Sequence, residues 1–420
     1  MRRVEIKWKK FTGWKRRNHG PSSGDSHAPC ALIASRLQYA SLPARHIQAM
    51  KGQWIGHYAG SSEGIIVVNA DERPSQYTGV AYLIENNKGL PGAAAFFRTK
   101  DKNTPFEFRT DLILPINPVT GMTDSWGRVK DHYPEGVTIS EFADIKGSWD
   151  NDALSLSWTA PSGAAGACIL PRSKADKPST LVPLIKGWDA YKTYVAGLEG
   201  KRYLFRGQTE PWRLRSSFHR AGRADLTRWL NEDIQVLHKH LSARTKHVFN
   251  LEIPNENGAF FNLVQHHGYP TPLLDWTYSP YVAVFFAFRS ISGEKAAKAN
   301  PEDKVRILVF DQAQWRVDLN QLVLLTSASP HVSIGEFLAI ENERMIPQQA
   351  ASTITNVDDI ESYIQSRESD NRKYLWAIDL PVRDRNKVLH ELRFMGITAG
   401  SLFPGLDGAC EELKERNFEI

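Results

Sequence analysis

The run His266-His267-Gly268-Tyr269-Pro270-Thr271-Pro272-Leu273-Leu274-Asp275-Trp276-Thr277 carries the densest structural information in this chain. It continues through Tyr278-Ser279-Pro280 into the apolar stretch Tyr281-Val282-Ala283-Val284-Phe285-Phe286-Ala287-Phe288. The residues before it, Asn257 to Gln265, read as a helix that turns Phe260, Phe261 and Val264 inward, with Gly268 as its C-terminal cap. His266 and His267 then fall in the last turn, where a cation suits the helix dipole. Pro270 and Pro272 stiffen the chain. Ser279 followed by Pro280 is a helix start, because the hydroxyl caps free N–H groups and proline fits the first helical position. The helix that follows is apolar on nearly every side, so it reads as buried. Asp275, between Leu274 and Trp276, is a carboxylate that needs a partner when buried.

Outward from this run, Leu204-Phe205 ends a hydrophobic stretch and Arg206-Gly207-Gln208 follows. The planar donor fork of an arginine suits phosphate, and a glycine beside it lets the backbone come close to a ligand. A structural arginine paired with a buried carboxylate explains the same residues. Trp188, Tyr191, Val195 and Leu198 have helical spacing, as do Leu226, Trp229, Leu230, Leu237 and Leu241. Val305 to Phe310 and Tyr374 to Ile378 read as buried strands. No βαβ rhythm connects them, so an α+β domain is expected over residues 180–420.

Residues 46–172 have another texture. Short runs such as Gly64-Ile65-Ile66-Val67-Val68, Val80-Ala81-Tyr82-Leu83-Ile84, Phe106-Glu107-Phe108-Arg109, Leu112-Ile113-Leu114-Pro115-Ile116 and Leu154-Ser155-Leu156-Ser157-Trp158 are separated by Gly, Pro and Asn clusters. Regular short strands predict an all-β barrel-like domain. Lys51-Gly52-Gln53-Trp54 recurs as Lys146-Gly147-Ser148-Trp149, each expected to open a strand. The pattern resembles the Gly-x-Trp that begins small up-and-down barrels of the lipocalin type. Such a barrel either holds a small ligand or is filled and serves for docking.

At 420 residues the chain is long enough for two domains. Its 41% hydrophobic and 24% charged residues are those of a globular protein, and no apolar run is long enough to span a bilayer. Residues 1–45 form a basic arm and linker: Arg2, Arg3, Lys7, Lys9, Lys10, Lys15, Arg16 and Arg17 stand against Glu5, with Trp8, Phe11 and Trp14 among them. That composition suits a nucleic-acid contact, and equally a solvated tail or one extra strand. Cys30, Cys168 and Cys410 lack metal-ligand or disulfide spacing, so no metal and a cytoplasmic setting are expected.

Phe205-Arg206-Gly207-Gln208, Gln265-His266-His267-Gly268 and Leu273-Leu274-Asp275-Trp276-Thr277 with Ser279-Pro280 together resemble the motif set of the FRG domain family. Arg344-Met345-Ile346-Pro347-Gln348-Gln349 resembles its Arg-x-x-x-Gln-Gln element, and Leu402-Phe403-Pro404-Gly405-Leu406-Asp407-Gly408 its C-terminal signature. Ala350 stands where that family usually has Gly, and Gly405 where it usually has Asp. A more distant likeness is to the ADP-ribosyltransferase fold, through Phe205-Arg206-Gly207, Thr277-Tyr278-Ser279 before Val282-Ala283, and Glu341-Asn342-Glu343. That likeness implies NAD as the substrate, consumed as a cofactor. Arg206, Gly207, Gln208, His266, His267, Asp275, Thr277, Ser279 and Gln349 would line its site. Glu343 would hold the ribose and Glu341 would position an acceptor. The function it implies is an effector of bacterial toxicity or anti-phage defence that modifies RNA, DNA or a protein, or hydrolyses NAD, with an inhibitory protein partner. Two other readings stand beside it: a nucleotide- or phosphate-binding module without turnover, and a nuclease built on His267 and Asp275.

Overall fold

The computed structural model describes residues 48–418. The expected basic arm lies outside the described residues. Contacts gather Ile47–Ile420 into a single compact unit. Within it are two sheets, each with its own apolar core.

The first is a nine-stranded antiparallel sheet: β1 (Gly52–Gly60), β2 (Glu63–Glu72), β3 (Tyr77–Glu85), β4 (Ala93–Arg98), β5 (Phe106–Arg109), β6 (Leu112–Pro115), β7 (Asp144–Trp149), β8 (Ala153–Thr159) and β9 (Ala165–Pro171). The spatial order is β5-β7-β8-β9-β1-β2-β3-β4-β6. The two edge strands are neighbours in sequence, joined only by Thr110 and Asp111. The sheet therefore curls until its edges come together. Inside the curl lie Trp54, Tyr58, Ile66, Val68, Phe97, Trp149 and Leu154. Val67, Val80, Tyr82 and Ala94 point the other way and are buried too, against Ala328. Burial on both faces explains why β2 is a continuous apolar run rather than an alternating one. Trp54 opens β1, as expected. Trp149 instead closes β7, because Asp150 begins the turn into β8.

The second sheet has seven strands: β10 (Leu184–Ile185), β11 (Tyr203–Gln208), β12 (Leu273–Thr277), β13 (Lys304–Asp311), β14 (Val332–Gly335), β15 (Ala350–Thr355) and β16 (Leu375–Pro381), in the order β10-β16-β13-β11-β12-β15-β14. All pairs are antiparallel except β10 with β16. Both faces are covered. Phe205, Ile307, Val309 and Ile378 pack on one side, and Leu204, Leu308, Phe310, Leu274 and Trp276 on the other. Helix α1 (Pro254–His266) belongs to a third cluster, with Phe218, Trp229 and Phe261. Helix α2 (Pro280–Phe288) is capped by Ser279, whose Oγ accepts from the Val282 N–H at 3.2 Å. It is buried along Val282–Phe285 and at Ala287 and Phe288.

Polar side chains fasten the curled sheet to the rest. Asp71, fully buried on β2, accepts from Arg223 Nε at 2.5 Å, Arg228 Nη1 at 2.9 Å, the Ala224 N–H at 2.8 Å and the Asp225 N–H at 3.2 Å. Gln53 on β1 donates to the Asn356 carbonyl at 2.7 Å and accepts from the Asp358 N–H at 2.9 Å. Asn356 in turn accepts from the His331 N–H at 2.9 Å. A buried carboxylate with this many donors becomes costly to tamper with, because the arginines lose their counter-charge. Asp71→Asn is expected to lower stability by about 3 kcal/mol or more in denaturant unfolding; a loss under about 0.5 kcal/mol would assign the junction to apolar contacts instead.

Burial pushes His219 and His331 down to about 4, so both are neutral in the fold. Their folded values lie below the usual histidine value of about 6.5, so the unfolded chain takes up protons first. The stability they supply is complete above about pH 6.5 and is lost as pH falls toward 4. Asp225, raised to about 6 by burial, acts in the opposite sense. Two histidines outweigh one aspartate, so thermal stability should decline over this window. His331→Leu should shrink the decline, as read by melting curves from pH 7 to pH 4.

Candidate functional site

Strand β11 is paired along its length with β13, and β12 along its length with β15. Between β11 and β12 only Phe205 and Thr277 are paired. The two strands part beyond that point, and Arg206 Nη1 donates to the Asp275 carbonyl at 2.6 Å across the opening. A cleft of about 280 Å³ forms there. Its walls are Phe205, Arg206, Gly207, His266, Asp275, Trp276, Thr277, Ala283, Phe286, Arg344, Gln348, Ala350 and Phe403.

Gly207 is explained by helix α2 rather than by a ligand. A Cβ at this position would collide with the Ala283 carbonyl oxygen and stand 2.8 Å from the Ala287 nitrogen. The missing side chain lets the helix backbone lie directly on the strand. This corrects the expectation that the glycine admits a ligand, although its backbone does line the cleft. Ser279 and Thr277 also have structural duties. Ser279 caps α2. The Thr277 hydroxyl donates to the Gln348 carbonyl at 2.7 Å and accepts from the Ser279 N–H at 3.0 Å.

Two cations dominate the electrostatics of the cleft. Among the described residues neither Arg206 nor Arg344 has a carboxylate within ion-pair distance. Arg206 Nε is buried without a hydrogen-bond partner. Burial pulls the Arg206 guanidinium down to about 10, with Asp275 opposing and Arg220 reinforcing the shift. Arg344 leans over the Phe403 ring at 5.4 Å and reaches the His266 carbonyl at 3.5 Å. Asp275 is the cleft's carboxylate, and Gln265 donates to its Oδ1. Gln265 itself accepts from the Thr271 hydroxyl, so the carboxylate is oriented from behind. His266 Nδ1 is 2.8 Å from Asn342 Oδ1, and Asn342 Nδ2 donates to Asn262 Oδ1 at 3.2 Å.

The structure gathers Arg206, Gly207, His266, Asp275 and Thr277 around one cleft and leaves six other expected residues outside it: Gln208, His267, Ser279, Glu341, Glu343 and Gln349. His267 is exposed at the end of α1, with Gly268 beyond it at a φ of 85°. Gln208 is buried in register with Arg306, which is paired with Asp379 at 2.8 Å. Glu341 accepts from the His247 N–H, and Glu343 is exposed; neither lines the cleft. Asn342 between them is the residue that turns inward. Gln349 is exposed and Gln348 takes the place expected of it, donating to the Leu402 carbonyl at 2.9 Å. Both Glu341 and Gln349 adopt left-handed backbone, φ 53° and 47°, and these turns decide which neighbours face in. Asn342, Arg344, Gln348, Phe286 and Phe403 were not selected from sequence as site residues. The Arg344 to Gln349 element and the Phe403 signature held the signal for three of them.

A mostly antiparallel sheet that splits between β11 and β12, with an arginine-lined cleft in the opening, defines an α+β module. Residues 201–296 match the family model of the FRG domain, and the chain carries that domain. Arg344, Gln348 and Phe403 lie beyond the matched residues yet complete the same cleft. No curated protein and no solved structure matches the chain. Among the described residues, no helix is long and apolar enough to cross a membrane, and no group of three or more His, Cys, Asp and Glu is placed to hold a metal ion.

Gly207→Ala should cost about 3 kcal/mol or more, because the Cβ meets helix backbone that cannot swing aside. Chemical denaturation measures it, and a change below about 1 kcal/mol would mean that α2 can lift off β11 freely.

Proposed function

We propose that the FRG cleft binds a nucleotide through its phosphates, with NAD as the leading candidate. The observation that carries this reading is the pair Arg206 and Arg344, two guanidiniums on one small cleft with no carboxylate partner among the described residues. A buried cation without a counter-ion is costly in the empty protein and is relieved by an anion. The cleft admits a diphosphate and an adjoining sugar rather than a whole dinucleotide, and Phe286 and Phe403 give it an apolar wall. Two phosphates for two arginines is the stoichiometry of NAD.

If the bound NAD is turned over, the bond between ribose C1 and the nicotinamide nitrogen breaks, with both electrons leaving on nicotinamide. A hydroxyl of an acceptor, or water, bonds to C1 and gives up its proton. The positive charge developing at C1 calls for a carboxylate, and Asp275 is the one that lines the cleft. This departs from the assignment of Glu343 by likeness. The acceptor classes are RNA, DNA or protein, and the biological setting is a toxin or anti-phage effector held in check by a partner. Binding without turnover is the second reading. It is favoured by the exposure of Glu341 and Glu343. The nuclease reading loses its geometry, because His267 does not join Asp275 in the cleft.

Calorimetry with NAD and an assay of released nicotinamide test both readings. Arg206→Ala and Arg344→Ala are each expected to weaken NAD binding about tenfold or more, about 1.4 kcal/mol or above. Asp275→Asn should lower nicotinamide release about a hundredfold, and Glu343→Gln should leave it unchanged. Binding without release in the presence of cell extract, RNA and DNA selects the binding module. Failure of NAD, ADP and inorganic pyrophosphate all to bind sinks the phosphate reading.

The same buried cation predicts a stability effect. The folded value of Arg206 lies below its unfolded one, so carrying its charge costs stability at every pH below about 10. Arg206→Met should therefore keep or raise the melting temperature of the unliganded protein while abolishing NAD binding. A fall of more than about 2 kcal/mol would make Arg206 a structural residue.

A further inference from the structure

The curled sheet encloses about 430 Å³, which lies within the range of roughly 300–1,000 Å³ typical of small-molecule sites. Its body is apolar and aromatic. Phe106 and Phe108 stack at 5.6 Å, Phe108 stacks on Phe97 at 5.6 Å, and Ile66 and Val68 face them. One end is different. Glu85, the last residue of β3, and Tyr58 on β1 both align with Gly64, beside the turn carrying Ser61 and Ser62. Tyr58 is 4% exposed, and its hydroxyl lies beside Ser62 and the Glu85 carboxylate. Glu85 Oε1 accepts from the Ser62 hydroxyl at 3.0 Å, whereas Oε2 is buried with none. Among the described residues lining this space, Glu85 is the one charged side chain. An apolar chamber with one unmatched carboxylate oxygen at its end is complementary to a cation on an apolar body.

We propose that the curled sheet is a receptor for a cationic amphiphile, its apolar body in the chamber and its ammonium group on Glu85. Ser62 orients the carboxylate and leaves Oε2 free for the ammonium. Tyr58 supplies a second oxygen. The Trp158 ring, 5.5 Å from that of Tyr58, adds a face that attracts cations. Burial, reinforced by the neighbouring Glu85, holds the Tyr58 phenol well above its ordinary value, so Tyr58 meets the ligand as a neutral hydroxyl. The exposed residues that line the chamber include Ser61, Ser162 and Gly163, which stand at the Ser61–Ser62 end of β1 and mark its mouth. Gln53, which holds the junction with the second sheet, is at the other end, about 25 Å away at the usual strand rise. Ligand can therefore enter without disturbing that contact. The site is separate from the FRG cleft and does not depend on the NAD reading.

The full-length protein is titrated calorimetrically at neutral pH with octylamine, octanol and sodium octanoate, which share a tail and differ in the head. Octylamine should bind at least about tenfold more tightly than octanoate, a difference of about 1.4 kcal/mol. Glu85→Gln should erase that preference. Leu83→Trp, which fills the chamber, should remove binding of all three; Ala95→Phe serves the same purpose if Leu83→Trp does not melt cooperatively. Octanoate binding as tightly as octylamine, a preference that survives Glu85→Gln, or octylamine binding that survives a filled chamber would each overturn the proposal. So would the absence of octylamine binding.

Discussion

The contact between Gly207 and helix α2 is the constraint on which the site depends. Helix backbone and strand backbone touch there, with the Ala283 carbonyl where a side chain would otherwise stand. Close approach draws an all-apolar helix onto the sheet and buries it on nearly every side. It also fixes where the Ser279 cap and the Thr277 hydroxyl must lie, because Thr277 ends β12 and Ser279 stands just before the first residue of α2. Strand β12 is thus held by the helix at one end and by β15 along its length. It meets β11 only at Phe205. The cleft is the space left by that compromise.

Into this space the fold places charge that it does not neutralise. Elsewhere several arginines have carboxylate partners: Arg306 with Asp379, Arg213 with Asp359, Arg223 and Arg228 with Asp71. Arg206 has a backbone carbonyl and an orphaned Nε. Arg385 is also buried without an ion pair, but it donates to the Ile291 carbonyl from Nε and to Asn386 from Nη1; Arg206 combines the lack of an ion pair with an orphaned Nε on an open cleft.

Much of this was legible in the sequence. The strands of the curled sheet follow from short apolar runs between turn residues, and Ser279-Pro280 marks the start of α2 to the residue. The cluster Arg206, His266, Asp275 and Thr277 was readable because short strands and helix ends hold those side chains close to local landmarks. Glu341, Glu343 and Gln349, expected at the site, do not line the cleft. Those residues lie on an irregular segment with two left-handed turns, where no periodicity tells which side chain faces in. A shift of one residue replaces glutamate by Asn342 and Gln349 by Gln348. The role of Gly207 was also inverted, because a glycine signals close approach without naming what approaches. The curling of the first sheet was hidden for a similar reason: the pairing of β5 with β7 and of β1 with β9, far apart in the chain, leaves little mark on local sequence.

The Asp71 junction bears on how the molecule can be divided. Residues 201–296, taken by themselves, would keep Arg223 and Arg228 but lose the carboxylate that holds them together. They would also lose β13, β15 and β16, and with them the sheet that α2 lies on. The family match therefore marks a recognisable stretch of sequence rather than a unit that can be cut free. An excised fragment would keep Asp233 and Glu232 beside those arginines but would bare an apolar helix, a surface inclined to aggregate.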